Sequence, residues 1–243
     1  MTDYLYFRRW EVDKILAKRY ERNIKALSEK ENKMLFEKNV CIVGCGGLGG
    51  YIIEILSRIG IGNITVVDGD VFEESNLNRQ ILSDMDSLGK NKAEKAGERI
   101  NKINPDVKVK VIKEFLDNNN YKEIIAGSDI VVDALDNIET KKMLQDFCRE
   151  AEIILVHGAI GGWYGQVTTI FPNDNTLDFL YRETENNGIE KILGNLPFTA
   201  STVASIQCSE VVKVLTCKGD IFRKKVLFID LMNNEWDLVE TSG

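Results

Sequence analysis

Val40-Cys41-Ile42-Val43-Gly44-Cys45-Gly46-Gly47-Leu48-Gly49 decides the fold. Its first four residues are apolar and mostly β-branched, as a buried strand requires. The glycines that follow satisfy G-x-G-x-x-G. Tyr51, Ile52, Ile55, Leu56 and Ile59 then recur at helical spacing until Gly60 and Gly62 end the helix. In this strand–turn–helix order the backbone can approach a phosphate closely. The first N–H groups of the helix stay unpaired and carry partial positive charge. Asp68 ends the next predicted strand, Asn63 to Val67, where a carboxylate can accept hydrogen bonds from ribose hydroxyls. The loop points to a nucleotide; it does not separate NAD from ATP.

Outward from this stretch the same alternation continues. Helices are predicted over Lys92 to Ile103, Tyr121 to Ala126 and Glu139 to Ala151. Strands are predicted over Lys108 to Ile112, Ile130 to Ala134 and Ile153 to Val156. Strands alternating with helices predict a doubly wound, Rossmann-like α/β sheet, parallel in its N-terminal half and with helices on both faces. The pattern then changes. Trp163 to Phe171 reads as an antiparallel return entered through Gly161-Gly162. Pro172 to Asn195 is a long polar stretch of weak periodicity, and a helix follows from Pro197. Val226 to Asp230 and Glu235 to Val239 form a closing hairpin around Asn233-Asn234. Upstream, Glu11 to Phe36 reads as a helical lead-in, in one or two pieces.

A chain of 243 residues with 44% hydrophobic content can bury a substantial core. No apolar run is long enough to span a membrane, and the charged N-terminus lacks a signal-peptide core, so a cytoplasmic location is expected. The five cysteines make no disulfide framework. A net charge of −7 without blocks of like charge makes nucleic acid an improbable partner.

Further polar residues fall at predicted carboxyl ends of strands. Asp68-Gly69-Asp70 brings two carboxylates, Ser75-Asn76-Leu77-Asn78-Arg79-Gln80 one strong cation, and Lys92 opens a helix. Asp136-Asn137 follows the strand from Ile130. In a parallel sheet these ends converge on one edge, where ligands bind. Singly, Arg79 and Lys92 read equally as solvated charges and Asp136 as a helix cap. The joint placement favours a site.

These residues resemble the MoeB/ThiF/HesA family, relatives of the ubiquitin-activating enzymes. Arg19-Tyr20-Glu21-Arg22 matches R-Y-x-R, and Gly60-Ile61-Gly62-Asn63-Ile64, Gly89-Lys90-Asn91-Lys92-Ala93, Ile103-Asn104-Pro105, Asp133-Ala134-Leu135-Asp136-Asn137 and Gly165-Gln166-Val167 extend the match. The resemblance covers roughly Arg19 to Leu231. It implies one adenylation domain over residues 1–243: a lead-in (1–36), a nucleotide-binding part (37–171), a crossover loop (172–196) and a C-terminal helix with a strand pair (197–243). It implies ATP and Mg²⁺ as cofactors, with Gly44, Gly46, Gly47, Asp68, Asp70, Ser75, Asn76 and Asn137 around the nucleotide and Asp68 at the ribose. Asn76, Arg79 and Lys92 would hold the triphosphate and Asp136 the magnesium. Arg22 would reach the ATP of a partner subunit in a homodimer. Arg22, Arg79, Lys92 and Asp136 are the catalytic candidates.

The implied reaction is attack of a carboxylate on the α-phosphorus of ATP, with the C-terminal glycine of a MoaD- or ThiS-like sulfur carrier as the expected acceptor. A chain-terminal carboxyl ionises near pH ~3.5 and needs no base. What the step needs is relief of repulsion between anions: unit charges about 4 Å apart interact by ~4 kcal/mol at an effective dielectric near 20. A chain with one histidine can therefore be a catalyst, and His157 reads as a structural residue. Other acceptors (a small molecule, a peptide, a group on tRNA) and a non-catalytic nucleotide-binding scaffold are the alternatives. A dehydrogenase fits less well, because no proton donor stands out. The chain lacks the paired C-x-x-C zinc ligands of many relatives, which makes it more HesA-like. No zinc is expected, and no enzyme-bound thioester.

Overall fold

The computed structural model describes residues 18–181 and 193–241. Its strands are β1 (Asn39–Val43), β2 (Asn63–Val67), β3 (Lys108–Ile112), β4 (Ile130–Asp133), β5 (Ile154–Gly161), β6 (Tyr164–Ile170), β7 (Lys225–Asp230) and β8 (Glu235–Glu240). The helices are α1 (Glu29–Glu37), α2 (Gly47–Ile59), α3 (Lys92–Ile103), α4 (Tyr121–Ile125), α5 (Ile138–Glu150), α6 (Thr176–Leu180) and α7 (Pro197–Thr216). The strands form one sheet in the order β3-β2-β1-β4-β5-β6-β7-β8. Pairing is parallel from β3 through β5 and antiparallel from β5 through β8, as the sequence pattern predicts.

Register sets the functional edge. Val43 lies opposite Val67 on one side and Asp133 on the other. The chain leaves all three strands at the same level, so Gly44, Asp68 and Ala134 begin neighbouring loops. The chain winds outward from β1 in both directions, and that reversal opens a crevice at the carboxyl ends.

Both faces of the parallel half are covered, so β1 alternates between two cores rather than between core and water. Val40 and Ile42 pack with Ile52, Leu56, Ala96, Ile100 and Val203 of α2, α3 and α7. Cys41 and Val43 pack with Ile124, Leu144, Phe147 and Leu177 of α4, α5 and α6.

Four elements of the sequence reading are refined, the lead-in by resolving into two pieces. The lead-in breaks into a 3-10 turn over Lys18–Asn23 and α1, because Ser28 starts a new helix with a capping box. The Ser28 hydroxyl accepts from Glu31 N at 3.2 Å, and the Glu31 carboxylate accepts from Ser28 N at 2.6 Å. Residues 11–17 of that lead-in lie outside the described residues. β5 was expected to stop at Val156 yet runs to Gly161, since antiparallel β6 takes over its hydrogen bonding once β4 has ended. Trp163 falls in the tight turn after Gly162 (φ +56°) rather than in β6. The predicted loop 172–196 contains the short helix α6, and its residues 182–192 lie outside the described residues.

Candidate active site

A cleft of about 840 Å³ opens at the carboxyl edge of β1, β2 and β4. Its floor is the glycine loop. Gly44 has φ +98°, and a Cβ there would lie 2.5 Å from Ala134 O. α2 then starts at Gly47, and its N-cap Gly46 supplies no side-chain cap, so its first N–H groups are left for a ligand. Gly46 and Gly47 both line the cleft.

Asp68 enters from the end of β2. Its Oδ2 accepts from Cys45 N at 2.7 Å and its Oδ1 from Asp70 N at 2.9 Å, which aims the carboxylate across the glycine loop. Asp70 pairs with Lys92, whose Nζ is 2.5 Å from Oδ2. Partial burial pushes the Asp70 carboxyl up, but Lys92 and Val71 N–H outweigh that and hold it below the usual carboxylate range. Lys92 is only 7% exposed, so Asp70, its carboxylate partner among the described residues, fixes where its charge sits.

Arg79 is held differently. Its Nη1 donates to Ser75 O at 3.0 Å and to Asn78 Oδ1 at 2.8 Å. Among the described residues no carboxylate pairs with it. Its side chain lies over Gly47, where a Cβ would sit 3.8 Å from Cγ, so the cation faces the uncapped start of α2. Asn76 shapes this turn. Its Oδ1 accepts from Glu73 N at 3.1 Å, and its carbonyl accepts from Arg79 N and Gln80 N. Ser75 and Asn76 do not themselves line the cleft.

On the opposite wall Asn137 caps α5, accepting from Thr140 N at 2.8 Å, and leaves Asp136 exposed in the cleft. Asp136 makes no hydrogen bond among the described residues. Arg22 is exposed on the 3-10 turn and lines no part of its own chain's cleft. The turn is fastened by Tyr20, 2% exposed, whose hydroxyl accepts from Asn104 Nδ2 at 2.7 Å. Tyr20 packs so closely on Gly60 that a Cβ there would come within 2.7 Å of its ring.

The cleft also holds residues that the sequence reading missed. Phe115, 69% exposed, follows β3 and lies against Gly69, where a Cβ would clash with its ring at 2.7 Å. Its signal was available: it follows a strand's carboxyl end, as the other site residues do. Gln80 and Asn195 also line the cleft. Asn195 belongs to the strand-like step that bridges Gly162, and its carbonyl accepts from Asn78 Nδ2 at 3.2 Å. Gln80 closes the Ser75-to-Gln80 stretch that the sequence reading singled out without a role, and no spacing marks Asn195.

Beneath Asp136, Asp133 is fully buried and lies against Lys141 and His157. Burial lowers the His157 pKa, so the ring is neutral at neutral pH. Burial also pushes the thiols up, Cys41 to about 12 and Cys45, Cys148 and Cys208 likewise upward, which makes these four poor nucleophiles. Cys217 is exposed at the αL end of α7, outside the cleft. Among the described residues no group of three or more His, Cys, Asp or Glu side chains could hold a metal ion, and no helix is long and apolar enough to cross a membrane.

The groups that face this cleft are fixed charges and backbone N–H groups, while the chain's histidine is buried behind them. Fold and site together suit the binding of an anionic ligand such as a nucleotide's phosphates at the carboxyl edge of the sheet. The ThiF family pattern matches residues 20–243. A SAMP-activating enzyme E1 of Haloferax volcanii is 38% identical over 229 residues, spanning 91% of this chain and 84% of that protein. A molybdopterin-synthase adenylyltransferase of Haemophilus influenzae is 34% identical over 219 residues, 87% and 89% of the two chains. Among solved structures, Escherichia coli MccB with ATP aligns at TM-score 0.78 over 93% of this chain and 72% of that one; at 21% identity this is a likeness of fold. The chain belongs to the ThiF family, and it is an enzyme of the adenylyltransferase class.

Proposed function

We propose that this cytoplasmic enzyme adenylates the C-terminal glycine carboxylate of a small ubiquitin-like sulfur-carrier protein. A carboxylate oxygen of the carrier bonds to the α-phosphorus of ATP, the bond to the bridging oxygen breaks, and pyrophosphate leaves. Acyl adenylate and pyrophosphate are the products. The observation that carries this reading is Arg79, a cation without a carboxylate partner among the described residues, facing the α2 N-terminus across Gly47. Such a cation relieves anion repulsion in the transition state.

In this reading Asp68 accepts from the ribose and Arg79 and Lys92 clamp the phosphates. Asp70 holds Lys92 extended until the triphosphate competes for it. Asp136 suits magnesium, because Mg²⁺ is commonly held by one or two carboxylates together with substrate phosphates and water, and this carboxylate lines the cleft with no ion pair among the described residues. The bound ion would supply charge neutralisation between phosphates. Arg22, exposed and anchored through Tyr20, would serve the cleft of a second copy in a homodimer.

Carrier-dependent exchange of labelled pyrophosphate into ATP tests the proposal. Exchange is expected with at least one glycine-ended carrier and none without it. If ATP binds but no such carrier supports exchange, the reading fails. Phe115 would cover the base, since it stands at the mouth beside Asp68. Phe115→Ala should weaken ATP binding by about five- to tenfold, from lost base–aromatic stacking of ~1–1.5 kcal/mol, with kcat nearly unchanged. Calorimetry with ATP checks this, and an unchanged affinity would remove Phe115 from the site.

A further inference from the structure

The buried group beneath the cleft is unusual. Asp133 and His157 are 0% exposed and Lys141 2%. Lys141 Nζ is 3.3 Å from both carboxylate oxygens of Asp133 and donates to Gly158 O at 2.9 Å. The ring of His157 sits with Nδ1 2.6 Å from Asp133 Oδ2. Three ionisable side chains taken from water must return something for that desolvation, and removing one partner strands the others.

Their hydrogen bonds run in two directions. Toward the cleft, Asp133 Oδ1 accepts from Leu135 N at 3.0 Å, which folds the loop after β4 back on itself one residue before Asp136. Gln207 Nε2 of α7 donates to Asp133 O at 2.8 Å and fixes the same turn from the opposite face. Away from the cleft, with His157 neutral and Nδ1–H donating to Asp133, Nε2 is an acceptor. It lies 3.3 Å from Gln166 Nε2 and 3.4 Å from the Tyr181 hydroxyl, while Gln166 Nε2 donates to that hydroxyl at 2.5 Å. Tyr181 is the C-cap of α6. A continuous polar chain thus joins the end of α6 to the loop that carries Asp136.

We propose that Asp133, Lys141 and His157 are positioning residues: they fix the Asp136 loop for Mg²⁺·ATP and couple its geometry to Tyr181 at the end of α6. The proposal rests on the assignment of Asp136 to the metal made above. None of the three lines the cleft, so they act only through the loop.

The test compares His157→Asn, which keeps a donor near the Nδ1 position, with His157→Leu, which keeps none, and with Tyr181→Phe, which removes a single oxygen and leaves the fold intact. Binding of ATP is measured by calorimetry with Mg²⁺ and with EDTA, and pyrophosphate exchange is titrated with Mg²⁺. In the wild type Mg²⁺ should tighten ATP binding. In His157→Leu that gain should fall at least fivefold, while affinity in EDTA stays within twofold and half-saturating Mg²⁺ rises. His157→Asn should recover most of the loss. Tyr181→Phe should shift half-saturating Mg²⁺ two- to fivefold and add nothing in the His157→Leu background. The proposal is overturned if Mg²⁺ does not affect wild-type ATP binding. It is equally overturned if His157→Leu and Tyr181→Phe both keep the wild-type Mg²⁺ response, or if their effects add. Should His157→Leu not fold, Tyr181→Phe against His157→Asn gives the same decision. Absence of carrier-dependent exchange with an intact Mg²⁺ effect counts against the proposed reaction alone, and the binding arms then decide this one.

Discussion

Arg79→Ala is expected to lower carrier-dependent pyrophosphate exchange by about 10²- to 10³-fold, the range seen when a preorganised donor to a developing oxyanion is removed. The guanidinium is preset: two backbone and side-chain oxygens, Ser75 O and Asn78 Oδ1, hold one of its nitrogens, and the rest of the fork is left for phosphate. A group aimed before substrate arrives costs no reorganisation during reaction, so most of the loss should fall on kcat rather than on ATP affinity. Arg79→Lys should recover only part, because an ammonium cannot keep both held contacts and still present two donors. The comparison is exchange rate at saturating ATP against the Kd for ATP. A variant within threefold of wild type in rate would remove Arg79 from the catalytic set.

The second large effect concerns the fold under the site. A Cβ at Gly49 would stand 1.9 Å from Gly44 O and 3.4 Å from the Ala134 Cβ. Neither the oxygen nor the β4 loop can retreat, because Gly44 N donates to Val67 O and Ala134 N to Val43 O, both at 2.9 Å. Gly49→Val should therefore cost more than about 3 kcal/mol, the upper end of ordinary overpacking. That corresponds to a fall of roughly 6–12 °C in Tm for a chain of this size. ATP should no longer protect the variant against heat, since the part displaced is the loop proposed above to bind phosphate. Gly89→Ala makes a control, as nothing lies within 4 Å of a Cβ there, although its φ of +75° adds local strain. A Gly49→Val protein that melts within 2 °C of wild type would contradict the close approach.

The glycine loop, Asp68 and Asp136 were legible because each follows an apolar run whose period marks a strand, and strand ends in a parallel sheet meet. The lead-in was not, since its charged, Leu-dotted text suits a continuous helix as well as a turn followed by a capped one. The length of β5 was hidden because Gly158, Gly161 and Gly162 interrupt its apolar pattern. Gly158 is there for Gln207, which a Cβ would meet at 2.3 Å, and nothing local announces a helix side chain crossing from elsewhere. The Lys92–Asp70 pair joins residues 22 apart and has no periodic signature. One clue to the buried trio stood in plain text: Ile138, Lys141, Leu144 and Cys148 share the inward stripe of α5, which puts a cation where an aliphatic residue would serve. His157 reads as structural from the sequence; in the structure it is fully buried and lies outside the cleft lining.

Adjacent parallel strands can slide by one step at little cost to their backbone bonding, and β4–β5 carries a safeguard against it. In the native alignment Asp133 faces His157. Slip in either direction would offer Val156 or Gly158 instead, and neither side chain can donate a proton to a carboxylate. The misaligned chain would shut a half-answered charge inside the protein, a penalty of about 3–5 kcal/mol against a whole stability of roughly 5–15 kcal/mol. A buried trio that greasy residues could replace for holding power thus weighs against a slipped pairing of β4 with β5.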